Sequence, residues 1–460
     1  MLKKWVVLAF TLVVTSCGVV YRGVTDGIEA VNQSQLIRQG RHGELTEEEL
    51  AWAMTAWKYV ENNTQLATGL VNGIDNYPTT NMSGVADYLI SLLAAKEFNF
   101  ISNKQYDERL SLVLRFLNKM DLSQGQVPNK VYSTQTGGMV NYGNQYQDMG
   151  WSSLDVGRLL IVLAIVKQTS PEFSEYIDKA VLRWNFCELI GSDGELYGAV
   201  VNGNQVTRYK EGRLGTEEYT SYGYLDWQVV PKKAMNLEPY DVATIYDVDL
   251  LFDGRDPRIF NVLRPVYSTP YLWLGLEFNW DEVSDSQSSD ATHSNSALSA
   301  MADAIYLVQE RRWDNEKIYT ARGEHVVSDE PHFVYDAIYG LGTPWITLAE
   351  DGSSYDHLAL VSTRVAFQMW ALWKTEYTDS LVVLVRELYD PQRGWYEGRY
   401  EMTGEYEKSI SLKTNAGVLE ALLYKQNGKL YQGEKQREYR DVKFDSRFDH
   451  PGKCLVETFR

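Results

Sequence analysis

Apolar residues recur at helical spacing in a series of segments from Thr46 onward. Thr46-Glu47-Glu48-Glu49 is a capping box, in which the threonine hydroxyl accepts an amide three residues on and Glu49 reaches back to the cap. Leu50, Met54, Trp57 and Val60 then follow near the helical period. The same period predicts helices over 85–98, 104–120, 153–166, 296–311, 362–373, 378–388 and 413–424. In the second of these Leu110, Leu114 and Leu117 form one stripe, with Ser102 or Asn103 as the cap. Ser170-Pro171 reads as an N-cap followed by an N1 proline, opening a helix that runs to about residue 190. Residues 217–227 carry a less regular helical pattern.

The links between these helices alternate. Short ones at 98–104, 167–171 and 373–378 join helices into pairs, while long Gly/Tyr/Asn-rich ones cover 68–80, 124–150, 191–216 and 391–412. That alternation predicts a mainly all-α fold, an (α/α)6-type toroid of helical hairpins, with the long loops gathered on one face as the functional face. Two regions depart from the period. Residues 231–285, with Tyr240 to Phe252 and Phe260 to Tyr271, and residues 317–350 mix β-branched and aromatic residues, which predicts small extended or β insertions. The Ser/Asp-rich stretch 284–296 reads as a mobile loop.

The N-terminus follows a different logic. Lys3 and Lys4 precede an apolar run over 5–14 that is too short to remain as a membrane span. Val14-Thr15-Ser16-Cys17-Gly18 resembles a bacterial lipobox, which implies cleavage before Cys17 and its acylation. The alternative is an ordinary secretory signal with an incidental cysteine. The expected organisation is a signal peptide over 1–16, a lipidated tether over 17–45, the toroid over 46–430 and a C-terminal extension over 431–460. Gly18 in place of the aspartate associated with inner-membrane retention points to the outer membrane, facing the periplasm.

Composition narrows the partners. With 62 acidic against 44 basic side chains the net charge is −18, which repels nucleic acid. Tyr and Trp number 31 and 13, supplying many flat faces with polar handles. Besides Cys17 there are Cys187 and Cys454, which an oxidising periplasm would permit to bridge; their spacing leaves the question open. No Cys or His spacing suggests a metal, and Asp247-Val248-Asp249 with Asp253-Gly254 lacks the ligand spacing of a calcium loop. No phosphate loop or dinucleotide fingerprint occurs, so no cofactor is expected.

The long loops carry recurrent words. They include Glu61-Asn62-Asn63-Thr64 with Ala67-Thr68-Gly69-Leu70-Val71-Asn72, and Tyr77-Pro78-Thr79-Thr80 ahead of Asp87. Gly150-Trp151-Ser152-Ser153-Leu154-Asp155-Val156-Gly157-Arg158, Ser268-Thr269-Pro270-Tyr271-Leu272-Trp273-Leu274-Gly275-Leu276-Glu277-Phe278, Gly394-Trp395-Tyr396-Glu397-Gly398 and Thr414-Asn415-Ala416 follow. Together they resemble the bacterial "domain of unknown function 3131" family over about residues 46–430, a family similar to glucoamylase-like (α/α)-toroid domains. The resemblance implies an envelope protein associated with exopolysaccharide or surface-glycan systems. It supplies no established catalytic pair. Ala86-Asp87 departs from the tryptophan expected before that aspartate, which removes a stacking ring there.

Glycosidic cleavage needs two carboxyls flanking the bond, about 5 Å apart for retention and about 6.5–9.5 Å for inversion. Glu277, between Leu276 and Phe278, is the first choice for the acid, because an apolar setting raises a carboxyl pKa. The alternative is a salt-bridged structural Glu. Glu397 and Glu401 lie in the Trp/Tyr loop before the last helix, where the resemblance implies the base; Arg393 and Arg399 offer them ion pairs instead. Asp155 and Arg158 share a helix face, as a further catalytic candidate or a local ion pair at a helix start. Asp75 and Asp87 could contact sugar hydroxyls or cap their own turns. Tyr77, Trp151, Tyr271, Trp280, Trp395 and Tyr396 are candidate sugar platforms or core rings, and Asn415 joins the substrate-binding set.

The expected function is that of a lipoprotein acting on an envelope or extracellular polysaccharide, as a glycoside hydrolase with an acid/base carboxylate pair. The alternatives are a non-catalytic glycan-binding or assembly factor serving exopolysaccharide synthesis and export machinery, or a purely structural envelope protein. Expected partners are a poly- or oligosaccharide and, through Cys17, a membrane.

Overall fold

Several helix starts are written locally. In the computed structural model, Thr46 caps helix α1 (Glu47–Asn63) through the expected reciprocal box with Glu49. Asn81 caps α2 (Met82–Glu97). Ser102 caps α3 (Asn103–Lys119) with a second capping box to Gln105. Ser152 caps α4 (Ser153–Thr169). The structure describes residues 40–227, 229–237, 239–255, 263–280 and 296–432. The signal peptide, Cys17, nearly all of the tether, Phe260, the 284–295 stretch, Cys454 and the extension beyond 432 lie outside the described residues. Gly40 and Arg41 are already placed: Arg41 donates to the Trp373 carbonyl at 2.8 Å and pairs with Asp379 at 2.7 Å.

The helix expected from 170 to about 190 is broken. A 3-10 turn (Pro171–Phe173) leads into α5 (Ser174–Val181), and a separate turn α6 (Phe186–Leu189) follows. The run stops at Val181, and Asn185 opens the next turn as its N-cap by accepting from the Cys187 amide. Next come α7 (Thr216–Leu225) and α8 (Thr269–Trp273). The latter continues as a π-helical turn (Leu274–Phe278) in a region where an extended segment was expected. Pro270 at its start pre-sets the helical φ. The rest of the helical chain is α9 (Ser296–Glu316), α10 (Thr363–Leu372), α11 (Glu376–Val385) and α12 (Leu412–Asn427).

Six of these helices close a ring. α2 packs on α4, α4 on α7, α7 on α8, α8 on α10, α10 on α12, and α12 returns to α2. α1, α3, α5, α9 and α11 stand outside them. The inner members are apolar on nearly all sides, as a helix enclosed by others must be. In α4 every residue from Ser153 to Val166 is buried except Asp155. Outer α3 buries only the stripe of Tyr106, Leu110, Val113, Leu114, Phe116 and Leu117. Between α4 and α7 the contact is backbone to backbone: a Cβ on Gly223 would stand 2.2 Å from the Gly157 carbonyl oxygen, and one on Gly157 would stand 2.6 Å from Thr220.

The inner helices are entered by the long connections, so their N-terminal ends share one face. These connections carry short antiparallel pairs. The longest are Tyr197–Asn202 with Gln205–Lys210 and Tyr240–Ile245 with Val248–Asp253. The second turns through Tyr246 and Asp247, both at positive φ, and packs on α9. Glu324–Val326, Phe333–Asp336 and Thr347–Leu348 form a three-stranded sheet ahead of α10.

Gly223→Ala should test how tightly the ring is drawn. The added methyl has no space to enter, so a loss of about 1–3 kcal/mol is expected from overpacking. A shift in the denaturant midpoint measures it.

Candidate active site

One turn below the loop face, Arg158 of α4 occupies the axis of the ring. Its guanidinium donates to Asp87 of α2 at 2.8 and 3.2 Å and to Glu277 of the π turn at 2.9 Å. The Tyr219 hydroxyl of α7 donates to the other Glu277 oxygen at 2.7 Å. The guanidinium carbon lies 3.7 Å from the centroid of the Trp273 ring, on which Tyr219 stacks. Glu420 of α12 stands 4.0 Å away and accepts from Gln368 of α10 at 3.0 Å. Burial and the neighbouring Glu277 hold Glu420 well above the usual carboxylate range, so it keeps a proton. Arg158, Asp87, Glu277 and Glu420 are all sealed from solvent.

Above this floor the helix N-termini open into a mouth. Asp155, the one partly exposed residue in the first four turns of α4, accepts from Asn81 at 3.2 Å. Burial, and then the Glu211 carboxylate, push its pKa up to about 6. Glu211 itself accepts from the Ser153 amide at 2.6 Å and the Ser153 hydroxyl at 2.8 Å. Glu324 behaves oppositely. Burial alone would raise it, but Lys413 at 3.0 Å and Arg364 at 3.4 Å overcome that and hold it at about 2. Lys413 is close to Asp155 as well. In the ring order α4, which carries Asp155, stands opposite α10, whose Arg364 holds Glu324, so the two carboxyls belong to opposite sides of the ring. Tyr142, Tyr209, Tyr267, Tyr335 and Arg213 complete the rim, each close to the next.

The other expected residues sit elsewhere. Glu277 has both oxygens occupied inside the floor, which leaves no open side for a glycosidic oxygen. Glu397 is buried against the Ser411 hydroxyl, the cap of α12, and does not meet Glu277. Burial raises its pKa. Glu401 is clamped between Arg312 at 3.0 Å and Arg322 at 2.8 Å. The Asp87 and Arg158 side chains belong to the floor rather than to a sugar contact. Asp75 is tied to Arg393 and accepts from Asn63 at 3.0 Å.

Trp151, Tyr271, Trp280 and Trp395 are core rings, because neighbouring elements fill both of their faces. The Trp151 and Trp395 indoles donate inward, to the Glu188 and Trp52 carbonyls. Asn415 is wholly buried and anchors the Trp395 amide at 2.8 Å. Tyr77 and Tyr396 keep partial exposure; the Tyr77 hydroxyl bonds the Tyr142 carbonyl. Sequence reasoning missed Glu211, Arg213, Glu324 and Lys413. Glu211 and Arg213 lie in an irregular loop and Glu324 opens a three-residue strand, stretches too short or irregular for a period to mark a side chain's direction. Among the described residues no His, Cys, Asp or Glu group has the geometry to hold a metal.

This is the architecture of a helical toroid with a polar mouth, and the comparisons define its class. Residues 51–428 match the family described as "Protein of unknown function (DUF3131)", and the chain belongs to that family. Among curated proteins none matches. Solved structures share the fold at low identity. An endo-β-1,2-glucanase from Chitinophaga pinensis, in complex with sophorotriose and glucose, superposes with a TM-score of 0.56 at 15% identity, covering 85% of this chain and 95% of that one. A candidate glucoamylase from Bacteroides fragilis gives 0.59 at 13%, covering 84% and 93%. An endo-β-1,2-glucanase from Talaromyces funiculosus with sophorose gives 0.55 at 10%, covering 86% and 87%.

The floor network makes a paired prediction. Arg158→Ala leaves buried carboxylates without a counter-charge and should cost about 3–5 kcal/mol. Glu420→Gln imitates the protonated acid already present and should cost less than about 1 kcal/mol. Chemical denaturation of the two variants checks the contrast.

Proposed function

We propose that the protein is a glycoside hydrolase that cleaves a polysaccharide held in the mouth of the toroid. The observation that carries this is the pair of carboxyls with opposed proton affinities, Asp155 at about 6 and Glu324 at about 2, on opposite sides of the ring. Asp155 is the general acid, holding its proton where an ordinary aspartate would not. Glu324, ionised between Lys413 and Arg364, is the base or nucleophile. The glucan-directed names of the structural neighbours support a glycan substrate. The family match over 51–428 supports one catalytic toroid filling the 46–430 span.

The cellular setting extends the same reading. Cleavage before Cys17 and its acylation would hold the domain at the outer membrane, facing the periplasm. Cys187 is disulfide-bonded, which suits an oxidising compartment.

The sign of the pH dependence follows from Asp155. The acid works while protonated, so kcat/KM should fall as pH rises through about 6. Asp155→Asn should lower kcat/KM by about 10²–10⁴-fold and abolish that limb. The assay is reducing-sugar release from a panel of plain and substituted polysaccharides, with Glu324→Gln alongside. Undiminished cleavage in both variants would sink the carboxyl assignment, and binding without cleavage in the native protein would make the domain a glycan holder.

A further inference from the structure

The charge of the mouth is at odds with the charge of the chain. A protein of net charge −18 repels anionic polymers, yet its mouth gathers Lys130, Arg213, Arg364 and Lys413 around the three carboxyls Asp155, Glu211 and Glu324. Lys413 and Arg364 are engaged by Glu324. Lys130 and Arg213 have no carboxylate partner within ion-pair distance among the described residues. Lys130 donates to the Tyr209 hydroxyl at 3.2 Å, and Arg213 lies over the Tyr335 ring at 5.4 Å. Among these mouth cations, Nε of Arg213 and Nη1 of Arg364, whose side chain is 1% exposed, are buried without a hydrogen bond, as is one oxygen of Glu324 beside Arg364. A buried donor left empty is costly, and a neutral sugar mouth has no need of surplus cations.

Geometry favours an anion as the missing partner. Arginine offers a planar fork that matches a carboxylate or a phosphate ester in a two-pronged bond, and a lysine beside it adds a point charge. Arg213 and Lys130 flank Tyr209, whose surroundings include both Arg213 and Asp155, so an anion held there would lie next to the reacting bond.

We propose that the mouth takes a glycan bearing anionic groups, a carboxylate or a phosphate ester on the sugar, with Arg213 and Lys130 as its anion contacts. This rests on the reading of the mouth as the glycan site. It adds a substrate class that the plain glucans named for the structural neighbours do not contain.

The test pairs charged and neutral forms of the same polymer. One arm is a polyuronate and its carboxyl-reduced counterpart; the other is a phosphorylated glucan and its dephosphorylated form. Binding is followed by calorimetry and cleavage by product release, each at low and high salt. The expected result is at least a tenfold preference for one charged form, weakened by salt, and the arm that shows it names the anion. Arg213→Gln and Lys130→Gln should erase most of the preference, with thermal unfolding confirming that the fold is intact. If Arg213→Gln fails to fold, Lys130→Gln and the salt dependence of the native protein still decide. Equal handling of charged and neutral forms overturns the anion proposal and leaves the hydrolase standing. Charge-selective binding without cleavage of any polymer removes the hydrolase and leaves the anion site.

Discussion

Everything in this fold is arranged around one guanidinium. Arg158 projects from α4 into the axis of the ring, where it joins α2 through Asp87, α7 through Tyr219 and the π turn through Glu277. Glu420 of α12 approaches from the far side and brings Gln368 of α10 with it. All six inner helices thus meet at a single buried charge. Three carboxyls crowd it, and the crowd is tolerable because Glu420 retains its proton. A ring packed only by aliphatic side chains could slip in register. A ring knotted at a charge cannot, because each displaced partner would leave an uncompensated ion out of reach of water.

The same geometry divides the interior into a sealed floor and an open mouth. Asp155 lies three residues ahead of Arg158 on α4, less than one turn closer to the loops, and that interval separates a partly exposed side chain from a sealed one. At the mouth, burial and neighbouring charges act together on the acids. Their balance differs from place to place: burial, helped by Glu211, pushes Asp155 up, while Lys413 and Arg364 overcome burial and press Glu324 down. Two carboxyls of similar intrinsic acidity are thereby given opposite protonation in mildly acidic solution, below about pH 6, which is the division of labour that acid–base cleavage of an acetal requires.

Much of the helical framework was legible in the chain because its signals are local. Thr46 with Glu49 and Ser170 with Pro171 mark starts within four residues, and the stripe Leu110, Leu114, Leu117 marks a face. The alternation of short and long links carried the toroid. The exceptions also have local causes. The run after Pro171 stops at Val181 and restarts where Asn185 caps a new turn, and Pro270 sets a helical φ at the start of the aromatic segment from Thr269 to Phe278. Asp155 and Arg158 were recognised as a pair on one helix face, but their fates diverge, one at the mouth and one in the floor.

By itself the sequence determined the helices, their pairing and the face that the long loops share, since caps, periods and link lengths act over a few residues. It also placed aromatic rings and acids in those loops. Only the tertiary structure decided which of them meet. Trp151 and Trp395, with glycines beside them, looked like open platforms and are core. Glu277 looked like an acid made reactive by apolar neighbours and is neutralised by an arginine 119 residues away. Glu324 carried no mark until the ring closed and set it beside Lys413, 89 residues on. Protonation is a property of the surroundings, and in a closed ring those surroundings come from every other part of the chain.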